Sequence, residues 1–102
     1  MKKDYTFYQI RCKDENIKQT YVACTTNLID TVRKLKKRVE NTQKYDDKIY
    51  QFIRDNDGID NFEIKIIDTK NISKKDVLPI LKHYIMMYNS TLNFIIEPGK
   101  MP

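Results

Sequence analysis

The strict alternation across residues 5–12 constrains this chain more than any other feature. Tyr8, Ile10 and Cys12 fall on one side, with Tyr5 and Phe7 on the other. A two-residue period of this kind belongs to a β-strand, whose successive side chains point to opposite faces. The polar stretch Lys13-Asp14-Glu15-Asn16 has turn chemistry, and residues 19–24 return as a second strand, which predicts an antiparallel hairpin. In that hairpin Cys12 and Cys24 are offset by five residues, or about 16 Å at roughly 3.3 Å per residue, which is beyond disulfide reach. We read both as free thiols in a reducing compartment. With no CxxC spacing and no histidine pair beside them, they make no metal-binding pattern.

Helical spacing follows. Asn27 is placed to cap a first helix, with Asp30 in its first turn near the positive end of the dipole. Leu28, Val32, Leu35 and Val39 form its apolar stripe, and Arg33, Lys34, Lys36, Lys37 and Arg38 its charged face. A second helix is predicted over residues 46–55, with Ile49, Phe52 and Ile53 inward and Gly58 ending it. Residues 62–68 form a third strand in which Phe62, Ile64 and Ile66 alternate with polar residues until Ile67. Ser73 or Asp76 starts a third helix, with Pro79 in or near its first turn and a core stripe of Val77, Leu81, Tyr84, Ile85 and Tyr88. A short last strand is expected at 94–96. The order is β-β-α-α-β-α, an α+β class with a small antiparallel sheet of about three strands flanked by helices. One domain is expected over residues 1–96, followed by a tail at 97–102.

Composition sets the outer bounds. The chain has 102 residues, 40% apolar and 32% charged, with two glycines and three prolines, which is globular rather than disordered. Abundant Lys, Asn, Ile, Asp and Tyr with little Ala suggests an AT-rich genome, such as that of a large DNA virus or an AT-rich microbe. Met1-Lys2-Lys3-Asp4 is not followed by an apolar signal region, and no apolar run reaches the roughly 18 residues of a membrane helix. The expectation is an intracellular protein of cytoplasm or nucleus, or of a viral factory or virion if the source is viral, without a membrane partner. The formal charge of +5 suits a polyanion partner, and suits a solvated surface equally well.

Several segments, in order, resemble the GIY-YIG nuclease domain. Thr6-Phe7-Tyr8 stands where that family has Gly-Ile-Tyr, and Tyr21-Val22-Ala23 where it has Tyr-Ile-Gly. Cys24-Thr25-Thr26-Asn27-Leu28 looks like its Ser-Thr-x-Asn-Leu entry to the first helix. Lys48-Ile49-Tyr50 is similar to the start of its second helix, and Gly58-Ile59-Asp60-Asn61-Phe62 to its Gly-x-x-Asn-Phe turn. Tyr84-Ile85 and Leu92-Asn93 look like the end of its last helix and the asparagine beyond it. The likeness covers residues 5–93. It implies a paired Tyr8 and Tyr21 packed against the last helix.

The resemblance also implies what is missing. The family cuts phosphodiesters with a tyrosine, an arginine on the first helix and a metal-binding glutamate on the last. A planar guanidinium stabilises phosphate charge, a carboxylate holds a divalent metal, and a tyrosine base must overcome an ordinary pKa of about 10. Here the arginine position falls on Thr31, the position one turn later holds Leu35, and the glutamate position falls on Leu81 or a neighbour. No Asp or Glu occurs between Val77 and Ile96. Tyr8, Tyr21, Thr31, Leu81 and Asn93 are thus vestigial positions, and no catalytic residue, metal site or cofactor is expected.

The basic run at 33–38 is the main functional feature that remains. It reads either as a helix face laid along a phosphate backbone or as a solvated face. Tyr45 and Tyr50 are of a type that stacks on bases, and equally of a type that packs. His83 stands alone, without a metal set or a triad. Met86 and Met87 beside Tyr88 either form a contact patch or contribute one residue to the core. The leading expectation is a catalytically inactive domain that binds DNA or RNA through Arg33, Lys34, Lys36, Lys37 and Arg38. The alternative is a non-enzymatic protein-interaction or self-associating domain. An active nuclease with a relocated site, using Arg33 or Arg11 and a carboxylate such as Glu97, ranks last.

Overall fold

The computed structural model describes residues 1–41 and 48–90. Strand β1 (Lys2–Cys12) forms a hairpin with β2 (Thr20–Thr25), followed by helix α1 (Leu28–Glu40), helix α2 (Lys48–Asp55), a 3-10 turn (Ile59–Asn61), strand β3 (Phe62–Ser73) and helix α3 (Lys74–Met87). The sheet is antiparallel with order β2-β1-β3, so β1 is the central strand. This is the expected α+β order. The expected strand at 94–96, the tail, Asn93, Tyr45 and the start of the second helix at Asp46 lie outside the described residues.

A central strand between two partners must be covered on both faces, and the alternation in β1 meets that demand. Tyr8, Ile10 and Cys12 join Tyr21, Ala23, Leu35, Val39, Ile49, Tyr50, Ile53 and Phe62 in one core, beneath α1 and α2. Phe7 and Val22 join Leu81, Tyr84 and Ile85 in a second core, beneath α3. Phe7 is fully buried, with its ring centroid 5.2 Å from that of Tyr84.

The break in alternation at Ile67 is a β-bulge. Tyr8 lies opposite Ile66 and Phe7 opposite Asp68, which leaves Ile67 as the extra residue on β3. Before the bulge Phe62 and Ile64 serve the first core; after it Ile67 and Ile72 both reach the second. Two residues five apart cannot share a face in a regular strand, so the bulge is what aligns them.

Three local expectations change. Gly58 does not stand alone at positive φ after α2. Asp57 precedes it at φ 74°, and Gly58 follows at φ 83° while its N–H closes the helix end onto the Ile53 carbonyl at 2.9 Å. An Asp in that position satisfies the last turn because its short polar side chain tolerates the left-handed region. Pro79 lies in the second turn of α3, where it cannot donate to the Lys75 carbonyl. Tyr88 is 39% exposed, because the helix ends at Met87 and Tyr88 is already its cap. Asn89, at φ 47°, takes the left-handed position there, and the Ser90 N–H reaches the Ile85 carbonyl at 2.9 Å. The fully buried Ser90 donates its hydroxyl to the Thr20 carbonyl at 3.0 Å, tying the end of α3 to the start of β2.

Helix α1 is held at both ends. Asn27 accepts from the Asp30 N–H at 3.0 Å. At the other end Arg54 of α2 donates to the carbonyls of Val39, Arg38 and Asn41, which places a cation at the negative end of the α1 dipole. Among the described residues no helix is long and apolar enough to cross a membrane.

Candidate functional site

Tyr8 lies opposite Ala23, and Tyr21 opposite Ile10, so the two tyrosines are diagonal neighbours on one face of the hairpin. They face α1 and α2. The last helix packs on the other side of the sheet, so the expected packing of this pair against α3 is not found. The physical reason is parity: Tyr8 and Phe7 are adjacent in β1 and must point to opposite faces, and it is Phe7 that meets Tyr84.

Above the tyrosines lies a cavity of about 230 Å³, lined among others by Cys24, Thr31, Leu35, Arg38 and Tyr50. The small Ala23 opposite Tyr8 leaves this space open. Thr31, Leu35 and Arg38 come from one flank of α1. Seven residues turn a helix through about 700°, close to two full turns, and rise about 10 Å. The guanidinium in this cavity therefore stands two turns beyond Thr31. Arg38 Nη1 donates to the Tyr50 hydroxyl at 3.1 Å. Thr31 is engaged locally, sharing a hydrogen bond with the Thr25 hydroxyl at 2.7 Å and donating to the Asn27 carbonyl at 2.9 Å.

Burial pushes the Tyr8 phenol up to about 12, with Cys24 and Tyr50 adding to the effect. The phenolate is thus scarcer at neutral pH than that of a free tyrosine, the opposite of what a tyrosine base needs. Burial also raises the Cys24 thiol. Both cysteines are free.

The basic run is divided by the helix rather than laid out as one face. Arg33 is 68% exposed and forms an ion pair with Asp30, which also binds Lys34 at 3.0 Å. The Lys34 and Arg33 hydrogen bonds hold the Asp30 carboxyl below its usual range. Lys37 is exposed. Lys36 lines a separate cavity on the opposite flank of α1. Arg38, expected on the charged face, is instead half-buried in the tyrosine cavity. Its i, i+4, i+7 spacing from Thr31 and Leu35 was the sequence signal for this.

Leu81 is buried in the second core, on the far side of the sheet from Tyr8, Tyr21 and Thr31. Arg11 pairs with Glu63 at 2.9 Å on an exposed part of the sheet. His83 is exposed, with its ring 5.7 Å from that of Tyr84. Met86 and Met87 are 77% and 58% exposed, so neither joins the core. Among the described residues no group of three or more His, Cys, Asp or Glu is arranged to hold a metal ion.

The chain matches no family model, no curated protein and no solved structure. The likeness to GIY-YIG nucleases thus rests on the motifs quoted above.

Proposed function

We propose that this domain binds nucleic acid through its phosphate backbone without cutting it, as a degenerate GIY-YIG-like domain. The observation that carries this reading is the placement of Arg38. It brings a guanidinium into the tyrosine cavity, on the flank of α1 next to the exposed Lys34 and Lys37. A phosphate chain crossing that flank meets ammonium groups outside and a planar fork within. The Tyr8 phenol, pushed up to about 12 by burial, supports binding without hydrolysis, whereas α3 with Leu81 lies across the sheet from Tyr8 and departs from the packing that the resemblance implies.

Fluorescence anisotropy tests this with labelled duplex DNA, single-stranded DNA and RNA at two salt concentrations with Mg²⁺. Micromolar or tighter affinity that falls steeply with salt, with probes left intact, is the expected result. Exchanging Lys34 and Lys37 for glutamate leaves the fold intact and lowers the salt slope on duplex DNA by about 2. Affinity unchanged by that double substitution contradicts the proposal.

A protein-interaction role is the second reading, favoured by the exposure of Leu78, Met86 and Met87 on α3. It predicts self-association or a protein partner that competes with mutations in α3 and not in α1. A monomer at high concentration by light scattering, with no partner lost on exchanging both methionines for glutamine, counts against it.

A further inference from the structure

The opposite flank of α1 carries a second cavity of about 370 Å³, lined by Lys13, Val32, Lys36, Ile59, Asp60, Phe62 and Ile64. Its volume lies at the small end of the range for ligand pockets, and four apolar side chains share its lining with three charged ones. Val32 and Lys36 are one helical turn apart on α1. Ile59 opens the 3-10 turn, and Phe62 and Ile64 follow it on β3. Val32, Ile59 and Ile64 are only partly buried, so some apolar surface is left open in the lining.

The polar side of the lining is mainly cationic, and its Lys13 is held in place. The Lys13 N–H donates to the Asn61 carbonyl at 2.8 Å, and its ammonium donates to the Asp60 carbonyl at 2.9 Å. Both ends of Lys13 are thereby tied to the 3-10 turn through neutral carbonyls, which leaves its charge uncompensated. Lys36 is exposed and forms no ion pair among the described residues. The carboxylate of Asp60 is exposed and pairs with neither lysine. Two cations against one carboxylate leave that side positive.

We propose that this cavity is a binding site for a small organic anion, with one acidic head group held by Lys13 and Lys36 and an apolar body seated on Val32, Ile59, Phe62 and Ile64. An ammonium is a point charge without the fork geometry of arginine, so carboxylate, sulfonate and phosphate heads are all accepted. A neutral ligand of the same shape gains only the apolar contact. The proposal is independent of the nucleic-acid reading, which relies on the other flank of α1.

The test is a titration of the full ¹⁵N-labelled chain with naphthalene-2-sulfonate, followed by amide shifts in a heteronuclear correlation spectrum, with naphthalene-2-methanol as the neutral control. Shifts should cluster at Lys13, Val32, Lys36 and residues 59–64, and the sulfonate should bind at least about ten-fold tighter than the alcohol. Lys36→Glu should erase that difference while the rest of the spectrum stays native, and Lys36→Gln should reduce it. The Lys34 and Lys37 double substitution should leave it unchanged, which separates this site from the nucleic-acid surface. Equal binding of sulfonate and alcohol overturns the proposal. So do shifts centred on Tyr8 and Arg38, or no saturable shift at millimolar ligand.

Discussion

Arg38 on α1 and Tyr50 on α2 meet at 3.1 Å, guanidinium to phenol, at the cavity that Tyr8 and Tyr21 line from the sheet. This contact joins two helices over one face of the hairpin and involves a cation that its neighbours in the basic run alone would assign to solvent.

Replacing Arg38 by alanine should reduce nucleic-acid affinity about ten-fold at low salt and lower the salt slope by about 1. Tyr50→Phe removes only the hydroxyl acceptor and should change affinity far less. Anisotropy across a salt series reads both. Equal effects from the two substitutions would mean that the hydroxyl positions the cation.

Arg54→Ala should destabilise the domain by about 2 kcal/mol, because it removes a charged donor from carbonyls at the α1 C-terminus. Arg54→Lys should recover only part of the loss, since an ammonium lacks the fork that spans several carbonyls. Urea unfolding followed by circular dichroism measures both; a loss below about 0.5 kcal/mol contradicts the capping role.

Gly58→Ala should cost about 1 kcal/mol. A Cβ there meets nothing within 4 Å, so the cost comes from φ 83° and not from a clash. Equilibrium unfolding checks it, and a neutral or stabilising result would show that the turn relaxes.

Stability should fall at both ends of the pH scale. The folded pKa of Tyr8 is raised to about 12 by burial, and that of Tyr84 is also raised, first by burial and then by its bond to Asp68. Each contributes stability that is fully present below the unfolded value of about 10 and is lost as pH rises toward the folded value. Asp68 is lowered, chiefly because the Tyr84 hydroxyl donates to it at 2.9 Å. Its contribution is present above about pH 4 and is lost as pH falls through the folded value. Urea midpoints should therefore drop between pH 10 and 12 in the native chain, and less in Tyr8→Phe. A Tyr8→Phe profile that overlays the native one would contradict this assignment.

Much of this architecture is legible in the sequence because its signals are periodic. The alternation of β1 places Tyr8 and Phe7 on opposite faces, and the stripe from Leu28 to Val39 places α1. What escaped depends on tertiary registration. The bulge at Ile67 becomes visible only when β3 is paired with β1, though two adjacent isoleucines hint at it. Tyr88 continues the α3 stripe by spacing but falls past the end of the helix. Arg54 reads as an ordinary surface cation until α2 is packed beside the end of α1. Arg38 was assigned by its neighbours in a basic run, whereas its seven-residue spacing from Thr31 puts it on the cavity flank.

The central claim is that the Lys34–Lys37 flank of α1 contacts a phosphate backbone. The most direct measurement is duplex DNA binding by anisotropy, native against the Lys34→Glu, Lys37→Glu pair, from low to moderate salt. The account predicts micromolar native affinity and a salt dependence shallower by about 2 in the pair. Identical curves for the two proteins, or no native binding at low salt, would contradict it.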